Sequence, residues 1–261
     1  MNATIDGVEI AYDDRGRGPA VLLLHAFPLA ASMWDAQAEA LSATHRVVRF
    51  DARGFGGSGV GAGPLTMERI ADDGAALLDL LGIEKAVVGG CSMGGYAAFA
   101  FVRRHPQRLA GLVLQDTRAG ADTTEAMANR AALAAKVLAE GAPAAVEALL
   151  PKLLGETTHR ERGDLVARVR QRILAASPQG IASALHGLAR RADSRETLPT
   201  ISVPALVLVG AEDVLTPPAE AVTMAAAISR ARLDVIPNAG HLANLENPDA
   251  VNAALLAFLG R

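Results

Sequence analysis

Short apolar runs recur along the chain and alternate with segments in which the apolar residues have helical spacing. Continuous apolar runs are typical of strands that are buried on both faces of a sheet. The predicted strands are a hairpin across residues 4–12 and single strands at 20–24, 46–50, 85–88, 109–114, 204–209 and 232–236. Strands that alternate with helices in this way predict an α/β protein with a mostly parallel, doubly wound sheet.

Capping and breaking residues mark the helix ends. Ser32 is a candidate N-cap for a helix that runs to about residue 42. Thr66 is a candidate N-cap for a second helix, and Gly82 is expected to stop that helix. Further helices are predicted over residues 95–104, 218–229 and 249–259.

The alternation breaks between residues 122 and 195, where no strand is predicted. This stretch is rich in Ala, Leu and Arg at helical spacing, and Gly and Pro interrupt it, which indicates four or so helices. Residues 119–198 are therefore predicted to form a helical cap, or lid. Residues 1–118 and 199–261 are predicted to form the α/β core that carries it.

The composition argues against several classes of protein. Hydrophobic residues make up 51% and charged residues 20% of the chain, which favours a sizeable buried core. The net charge of −3 without a basic cluster argues against nucleic acid or a membrane surface as a partner. No signal peptide or membrane-span pattern is visible, and one cysteine allows no internal disulfide, so we expect a cytoplasmic monomer or homodimer.

A predicted strand, a turn and a helix meet at Gly90-Cys91-Ser92-Met93-Gly94. A chain that turns this sharply places the turning residue at a strained, positive φ, and only glycine fits two positions before and after it. The G-x-S-x-G spacing therefore predicts an exposed Ser92 hydroxyl at the strand end, beside a helix N-terminus. Taken alone, the pattern is also compatible with a tight turn that carries an idle serine.

Two further reactive side chains follow later strands. Asp213 lies in the loop after strand 204–209, and His241 lies in the loop after strand 232–236. Ligands gather at the carboxyl ends of parallel strands, so both residues are expected to meet Ser92. A serine hydroxyl needs a base, an imidazole can supply it, and a carboxylate can orient the imidazole.

With these motifs the chain resembles the α/β-hydrolase-fold serine hydrolases nearly end to end. The segments that carry the resemblance are HAFP at 25–28, DARGFGGS at 51–58, GCSMG at 90–94, GAED at 210–213 and NAGH at 238–241. Within that fold the sequence is similar to small esterases, 3-oxoadipate enol-lactonases and haloperoxidase-like perhydrolases. The resemblance implies that Ser92 is the nucleophile, His241 the base and Asp213 the acid.

The resemblance also implies an oxyanion hole made by the backbone N–H groups of Phe27 and Met93. Members of the family usually carry His-Gly where this chain has His25-Ala26. Because alanine tolerates positive φ poorly, either the loop avoids that conformation here or the donor geometry differs. His25 itself is expected to hold backbone rather than to transfer protons.

Other strand-end residues compete for these roles. Asp116 also ends a strand and is the main rival for the acid, although Asp213 lies in the better-matching motif. Asp51 and Arg53 are expected to be structural, as an ion pair or a loop anchor.

The substrate pocket is predicted from apolar residues near these motifs. The candidates are His25, Leu29, Trp34, Met127, Leu138, Leu215 and Leu242. Packing of the first helix is an equally good interpretation for Leu29 and Trp34.

The predicted cap also carries many arginines, which include Arg130, Arg160, Arg168, Arg172 and Arg190. Solvated helix faces normally carry such residues, but one that points inward would suit a substrate carboxylate.

The predicted activity is hydrolysis of small carboxylic esters through an acyl-enzyme at Ser92. The main alternative is an enol-lactone hydrolase that uses one inward arginine. Perhydrolysis, carbon–carbon bond hydrolysis and a triad-bearing ligand receptor are weaker alternatives. The expected partner is a small-molecule ester or lactone, and no cofactor or metal is predicted, because the histidines and the cysteine lack metal-ligand spacing.

Overall fold

One eight-stranded sheet organises the protein. The structure is a computed structural model that describes residues 1–260. Its strands are β1 (Asn2–Ile5), β2 (Val8–Arg15), β3 (Ala20–Leu24), β4 (Arg46–Phe50), β5 (Ala86–Cys91), β6 (Leu109–Gln115), β7 (Ala205–Gly210) and β8 (Ala231–Ile236). They lie in the order β1-β2-β4-β3-β5-β6-β7-β8. The β1–β2 and β2–β4 pairs are antiparallel and all other pairs are parallel, which confirms the predicted fold class.

Helices connect most of the parallel strands. They are α1 (Asp35–Leu41), α2 (Met67–Leu80), α3 (Met93–Arg104), α4 (Thr124–Glu140), α5 (Ala142–Leu153), α6 (Glu156–Glu161), α7 (Gly163–Leu174), α8 (Pro178–Ala189), α9 (Pro218–Ala227), α10 (Ala243–Glu246) and α11 (Pro248–Leu259). Short 3₁₀ helices cover Ala31–Trp34, Pro106–Arg108 and Arg195–Thr200. Within residues 1–260, no helix combines the length and the apolar character needed to cross a membrane.

The predicted N-cap is present at α2 but not at α1. Thr66 caps α2 by accepting a hydrogen bond from the N–H of Arg69 at 3.1 Å. Ser32, in contrast, lies inside a 3₁₀ turn, and neither that turn nor α1 is capped by the side chain of its own N-cap residue. The reason is long-range: a carboxylate oxygen of Asp51 accepts the Ala31 N–H at 2.7 Å, so the start of the turn is satisfied from another loop.

The central strands are buried along most of their length. Every residue of β7 and all but one of β6 are buried, as expected when helices cover both faces of a parallel sheet. Leu24 pairs with both Phe50 and Gly90, and Cys91 pairs with Gln115. The carboxyl ends of these neighbouring strands are therefore level, and the loops that follow them meet at one edge of the sheet.

Five helices, α4 to α8, lie between β6 and β7; we call them the helical insert. Four or so were predicted, and the additional element is the six-residue α6. The insert contacts core loops backbone to backbone. A Cβ at Gly187 would lie 1.7 Å from the carbonyl oxygen of Leu65, and one at Gly180 would lie 2.0 Å from that of Gly54. Side chains larger than glycine would push α8 off these loops.

Candidate active site

The turn between β5 and α3 holds Ser92 in a strained conformation, with φ of 52°. A Cβ at Gly90 would lie 2.1 Å from the carbonyl oxygen of Gly94, and a Cβ at Gly94 would lie 2.1 Å from that of Leu24. Glycine is therefore required on both sides of the turn. The N–H of Ser92 donates to the carbonyl oxygen of Gln115 at 3.0 Å, which ties the turn to the neighbouring strand.

The side chains of Ser92, His241 and Asp213 form a continuous hydrogen-bonded row. Ser92 Oγ lies 2.8 Å from Nε2 of His241. On the other side of the ring, Nδ1 of His241 lies 2.8 Å from Oδ2 of Asp213. His241 and Asp213 are 2% and 3% exposed, so little water competes for these bonds. An imidazole in this position can accept the hydroxyl proton while the carboxylate stabilises the resulting cation.

Thr216 fixes the carboxylate of Asp213. Its hydroxyl donates to Oδ2 at 2.6 Å, and the N–H groups of Leu215 and Thr216 donate to Oδ1 at 2.8 and 3.0 Å. Burial alone would raise the pKa of Asp213, but the hydrogen bonds and charge of His241, together with those from Thr216, hold the pKa below its ordinary value. Asp213 is thus an ionised acceptor, held in one orientation.

Asp116, the rival for the acid, bonds backbone and amide groups rather than an imidazole. Its carboxylate accepts from the N–H groups of Gly210 at 2.8 Å and Ala243 at 3.2 Å, and from the side-chain amide of Gln115 at 3.0 Å. Burial, together with the charge of Asp213, raises the pKa of Asp116 well above its ordinary value. Asp116 therefore links the segments at the ends of β6 and β7 to the start of α10, beneath the site.

His25 shapes the loop that follows β3. Its Nδ1 lies 2.9 Å from the carbonyl oxygen of Ala26, and the N–H of Ala52 donates to its Nε2 at 2.9 Å. Burial lowers the pKa of His25, which favours the neutral ring that these two bonds require. Ala26 does not adopt a positive φ, so the loop avoids the conformation for which relatives would need glycine.

Two backbone N–H groups near Ser92 are free to receive an oxyanion. Phe27 lines the same cavity as Ser92, and within residues 1–260 its N–H donates to no acceptor. Met93 is the first residue of α3, and the first N–H groups of a helix have no acceptor inside it. The helix N-terminus also favours negative charge at this position.

Asp51 and Arg53 have separate partners and do not form the ion pair with each other that the sequence offered as one possibility. The Asp51 carboxylate accepts from the N–H groups of Ala31 at 2.7 Å and Gly57 at 2.9 Å, so it anchors two loops. Arg53 instead forms a buried ion pair with Asp73 at 2.7 Å.

Glu246 joins the loop of His241 to the helical insert. Its Oε1 accepts from the N–H groups of Gly240 at 2.9 Å and Leu242 at 3.2 Å, one on each side of His241. Its Oε2 accepts from the N–H of Gly155 at 2.7 Å. Burial raises the pKa of Glu246. One side chain, which the sequence motifs did not indicate, therefore holds both the imidazole loop and the insert.

A cavity of about 240 Å³ lies beside Ser92 and His241. Core and insert both contribute to it, and its lining residues are Phe27, Ser92, Tyr96, Arg118, Arg130, Leu149, Leu153, Leu188, Leu215, Thr216 and His241. Apolar side chains surround a few polar groups, as is typical of sites for small molecules.

Of the seven predicted pocket residues, only Leu215 lines this cavity. Four of the others are core residues that are at most 2% exposed, namely His25, Leu29, Trp34 and Leu242. The remaining two lie on α4 and are 38% and 55% exposed, namely Met127 and Leu138. This corrects the prediction. Apolar spacing marks one face of a helix, but it does not tell whether that face meets a cavity, the core or solvent.

Among residues 1–260, two arginines line the cavity, and the sequence indicated one of them. Arg130 is on α4, and Arg118 follows β6 by three residues. The other arginines noted in the sequence, which do not line the cavity, are Arg160, Arg168, Arg172 and Arg190. Arg118 was missed because it precedes the helical stretch in which an inward arginine was expected.

The comparison with protein families agrees with this geometry. The family model for the alpha/beta hydrolase fold matches residues 19–248. The chain belongs to the alpha/beta hydrolase fold family. The chain is therefore a hydrolase of this fold, with an eight-stranded, mostly parallel sheet and flanking helices.

Similar proteins extend over the whole chain. A thermophilic esterase from Thermogutta terrifontis, solved with malate bound, is 46% identical with a TM-score of 0.97, covering 100% of this chain and 97% of its own. The enol-lactonase from Burkholderia xenovorans is 32% identical with a TM-score of 0.93, covering 100% of both chains. The 3-oxoadipate enol-lactonase 2 of Acinetobacter baylyi is 29% identical over 99% of this chain and 96% of its own.

Proposed function

We propose that the protein hydrolyses small carboxylic esters through an acyl-enzyme formed on Ser92. The observation that carries this proposal is the row from Ser92 Oγ through His241 to Asp213, with both hydrogen bonds at 2.8 Å, at the wall of a small apolar cavity. The similar esterase and enol-lactonases support an ester or a lactone as the substrate.

In the acylation half, Ser92 Oγ attacks the carbonyl carbon of the ester. His241 Nε2 takes the hydroxyl proton, and Asp213 stabilises the imidazolium that results. The carbonyl oxygen becomes an oxyanion, which accepts from the N–H groups of Phe27 and Met93; each such donor contributes on the order of 3 kcal/mol to lowering the barrier. The bond to the alcohol oxygen then breaks, and that oxygen receives the proton from His241.

In the deacylation half, water takes the place of the alcohol. His241 accepts a proton from the water as the water oxygen attacks the acyl carbon. The second tetrahedral intermediate collapses, the bond to Ser92 Oγ breaks, and Oγ recovers its proton from His241. The acid product leaves, and the enzyme returns to its starting protonation state.

We propose that the helical insert acts as the lid of this site, with the boundary of the lid near residues 119–198. Support comes from the leucines that the insert places in the cavity, Leu149, Leu153 and Leu188, and from the bond between Gly155 and Glu246. Leucines at this wall would exclude water and receive the apolar part of a substrate.

Opening of a lactone is the second candidate, because the same attack and proton transfers apply to a cyclic ester. Enol-lactonases among the similar proteins favour it. In that case the alcohol oxygen stays attached to the acyl group, so a single hydroxy acid leaves after deacylation. Rates on a simple ester and on an enol-lactone, measured side by side, would rank the two substrates.

The test of the proposed function compares wild type, Ser92→Ala and Ser32→Ala on p-nitrophenyl acetate and butyrate. Ser32 is exposed and does not line the cavity, so Ser32→Ala is the matched control. We expect Ser92→Ala to lower kcat by at least about three orders of magnitude and the control to keep wild-type rates. Unchanged turnover in Ser92→Ala would sink the proposal.

A covalent probe gives an independent readout. Diethyl p-nitrophenyl phosphate should form a bond between Ser92 Oγ and phosphorus and release p-nitrophenolate, which is seen by absorbance. Mass spectrometry of the digested protein should find the added diethylphosphoryl group on the peptide that contains Ser92. Labelling at another serine would contradict the assignment of the nucleophile.

A further inference from the structure

Three arginines share one buried carboxylate at the wall of the cavity. Asp122 has a fully buried side chain, and it is paired with Arg118 at 3.0 Å, with Arg191 at 2.6 Å and with Arg130. We call these four residues the arginine cluster. Burial alone would raise the pKa of Asp122, but hydrogen bonds and charge from Arg130 and Arg191 outweigh it and hold the pKa below its ordinary value. The cluster therefore contains three positive charges and one negative charge.

The cluster also has unused hydrogen-bond donors. A guanidinium group carries five N–H donors. Arg118 uses Nη2, and Arg130 uses Nε and Nη2, all toward Asp122. In the part of the chain that the structure describes, the buried Nε of Arg118 donates to no acceptor. Unpaired buried donors and an uncompensated positive charge are both costly, so an anion would be stabilised against this wall.

The two outer arginines differ from the third in access. Arg118 and Arg130 have side chains 29% and 23% exposed, and both line the cavity that contains Ser92 and His241. Arg191 is 2% exposed, donates to the carbonyl oxygens of Gly120 and Leu188, and lies 4.3 Å over the ring of Tyr96. Arg191 is therefore a positioning residue that holds Asp122, and Arg118 and Arg130 are the ones that a ligand can reach.

We propose that Arg118 and Arg130 form a carboxylate subsite inside the catalytic cavity, so that the preferred substrates are esters or lactones that carry a second, free carboxylate. This proposal rests on the proposed function and adds the class of substrate to it. A planar guanidinium matches a carboxylate with two parallel hydrogen bonds. The cavity of about 240 Å³ brings that carboxylate and the reacting carbonyl of one small molecule into the same space.

Matched substrate pairs test the subsite. In the first pair the carboxylate is in the acyl part: the p-nitrophenyl monoester of glutaric acid against the same ester with its free acid converted to the primary amide. In the second pair it is in the alcohol part: the butyrate ester of glycolic acid against that of glycolamide, followed by pH-stat. Within each pair size and shape are nearly equal, so the ratio of kcat/KM reports the charge.

In at least one pair, we expect kcat/KM of wild type to be about tenfold or more higher for the carboxylate than for the amide. This ratio corresponds to the free energy that charge-assisted hydrogen bonds contribute. Arg130→Gln and Arg118→Gln should each bring that ratio towards one, and added salt should lower it in wild type. Arg168→Gln is the matched control, because Arg168 is exposed and paired with Asp164 outside the cavity; it should keep the wild-type ratio.

Arg130→Lys covers the case in which the glutamine variants do not fold. Lysine keeps the charge but has no planar fork. The ratio of kcat/KM for the carboxylate and the amide ester should therefore lie, in Arg130→Lys, between the ratios of wild type and Arg130→Gln. If Ser92 hydrolyses the carboxylate-bearing and the amide-bearing esters of both pairs at equal kcat/KM, the subsite is overturned and the proposed function stays intact. Turnover that persists in Ser92→Ala would overturn both.

Discussion

Oδ2 of Asp213 lies 2.8 Å from Nδ1 of His241, whereas Asp116, at the end of the neighbouring strand, bonds Gly210, Ala243 and Gln115. The two buried carboxylates therefore have separate tasks. Asp213 can fix the tautomer of the imidazole, and Asp116 joins the loops that follow β6, β7 and β8.

Asp213→Asn and Asp116→Asn should separate these tasks. Asparagine at 213 would present an amide where Nδ1–H needs an acceptor, so we expect kcat to fall by roughly three to four orders of magnitude with little change in KM. Asparagine at 116 should mainly lower the free energy of unfolding, by about 1–3 kcal/mol, since one backbone N–H loses its acceptor. Steady-state kinetics and urea unfolding of both variants make the comparison. A larger kcat loss in Asp116→Asn than in Asp213→Asn would reverse the assignment.

Gly94→Ala should abolish the turn at Ser92. Its Cβ would lie 2.1 Å from a backbone oxygen that cannot move without displacing β3, so we expect a loss of at least about 3 kcal/mol in the free energy of unfolding. Gly89→Ala is the matched control, because Gly89 lies on β5 just before the turn. Its Cβ would meet a methyl group of Leu23 at 3.0 Å, which can rotate away at about 1 kcal/mol. Equal stability of the two variants in urea would contradict the steric argument.

The fold and the hydrogen-bonded row of Ser92, His241 and Asp213 were predictable because both are encoded locally. The turn at Ser92 needs glycines at fixed spacing, and each strand end is marked by where an apolar run stops. Asp213 and His241 follow such ends, so a parallel sheet brings them together whatever the details of packing.

The supporting residues were not predictable because their partners are distant in the chain. Glu246 bonds Gly155, 91 residues away, and nothing beside either residue indicates the other. The cavity wall depends in the same way on which face of α4 turns inward. Arg130 faces the cavity, and Leu138 on the same helix is exposed.

His25→Phe should slow catalysis without changing its pH dependence. Phenylalanine keeps a ring that packs against Phe55, as the imidazole does edge-on at 5.5 Å, but it leaves the N–H of Ala52 without an acceptor. We expect a loss of about 1–3 kcal/mol in stability and kcat lower by about tenfold to a hundredfold, because the Phe27 donor is less well held.

The acid limb of kcat/KM against pH is the decisive readout for His25. Since burial lowers the pKa of His25, its ring is already neutral where activity rises, and the limb should keep its midpoint in His25→Phe. A displaced or missing limb would show that His25 titrates during the reaction.

Asp122→Asn should destabilise the protein at neutral pH and much less in acid. At pH 7 the variant leaves three arginines around a neutral amide, and we expect a loss of about 2 kcal/mol, below the range for fully buried pairs because Arg118 and Arg130 are partly exposed. The pKa of Asp122 is lower in the folded than in the unfolded chain. Its contribution is therefore complete above the unfolded pKa of about 3.9 and disappears as the pH falls through the folded value. Urea unfolding of wild type and Asp122→Asn, measured from pH 7 down to about pH 2, should show a constant difference in stability above about pH 4 and a difference that shrinks below it. A difference that stays constant over the whole range would mean that Asp122 stabilises the cluster by packing rather than by charge.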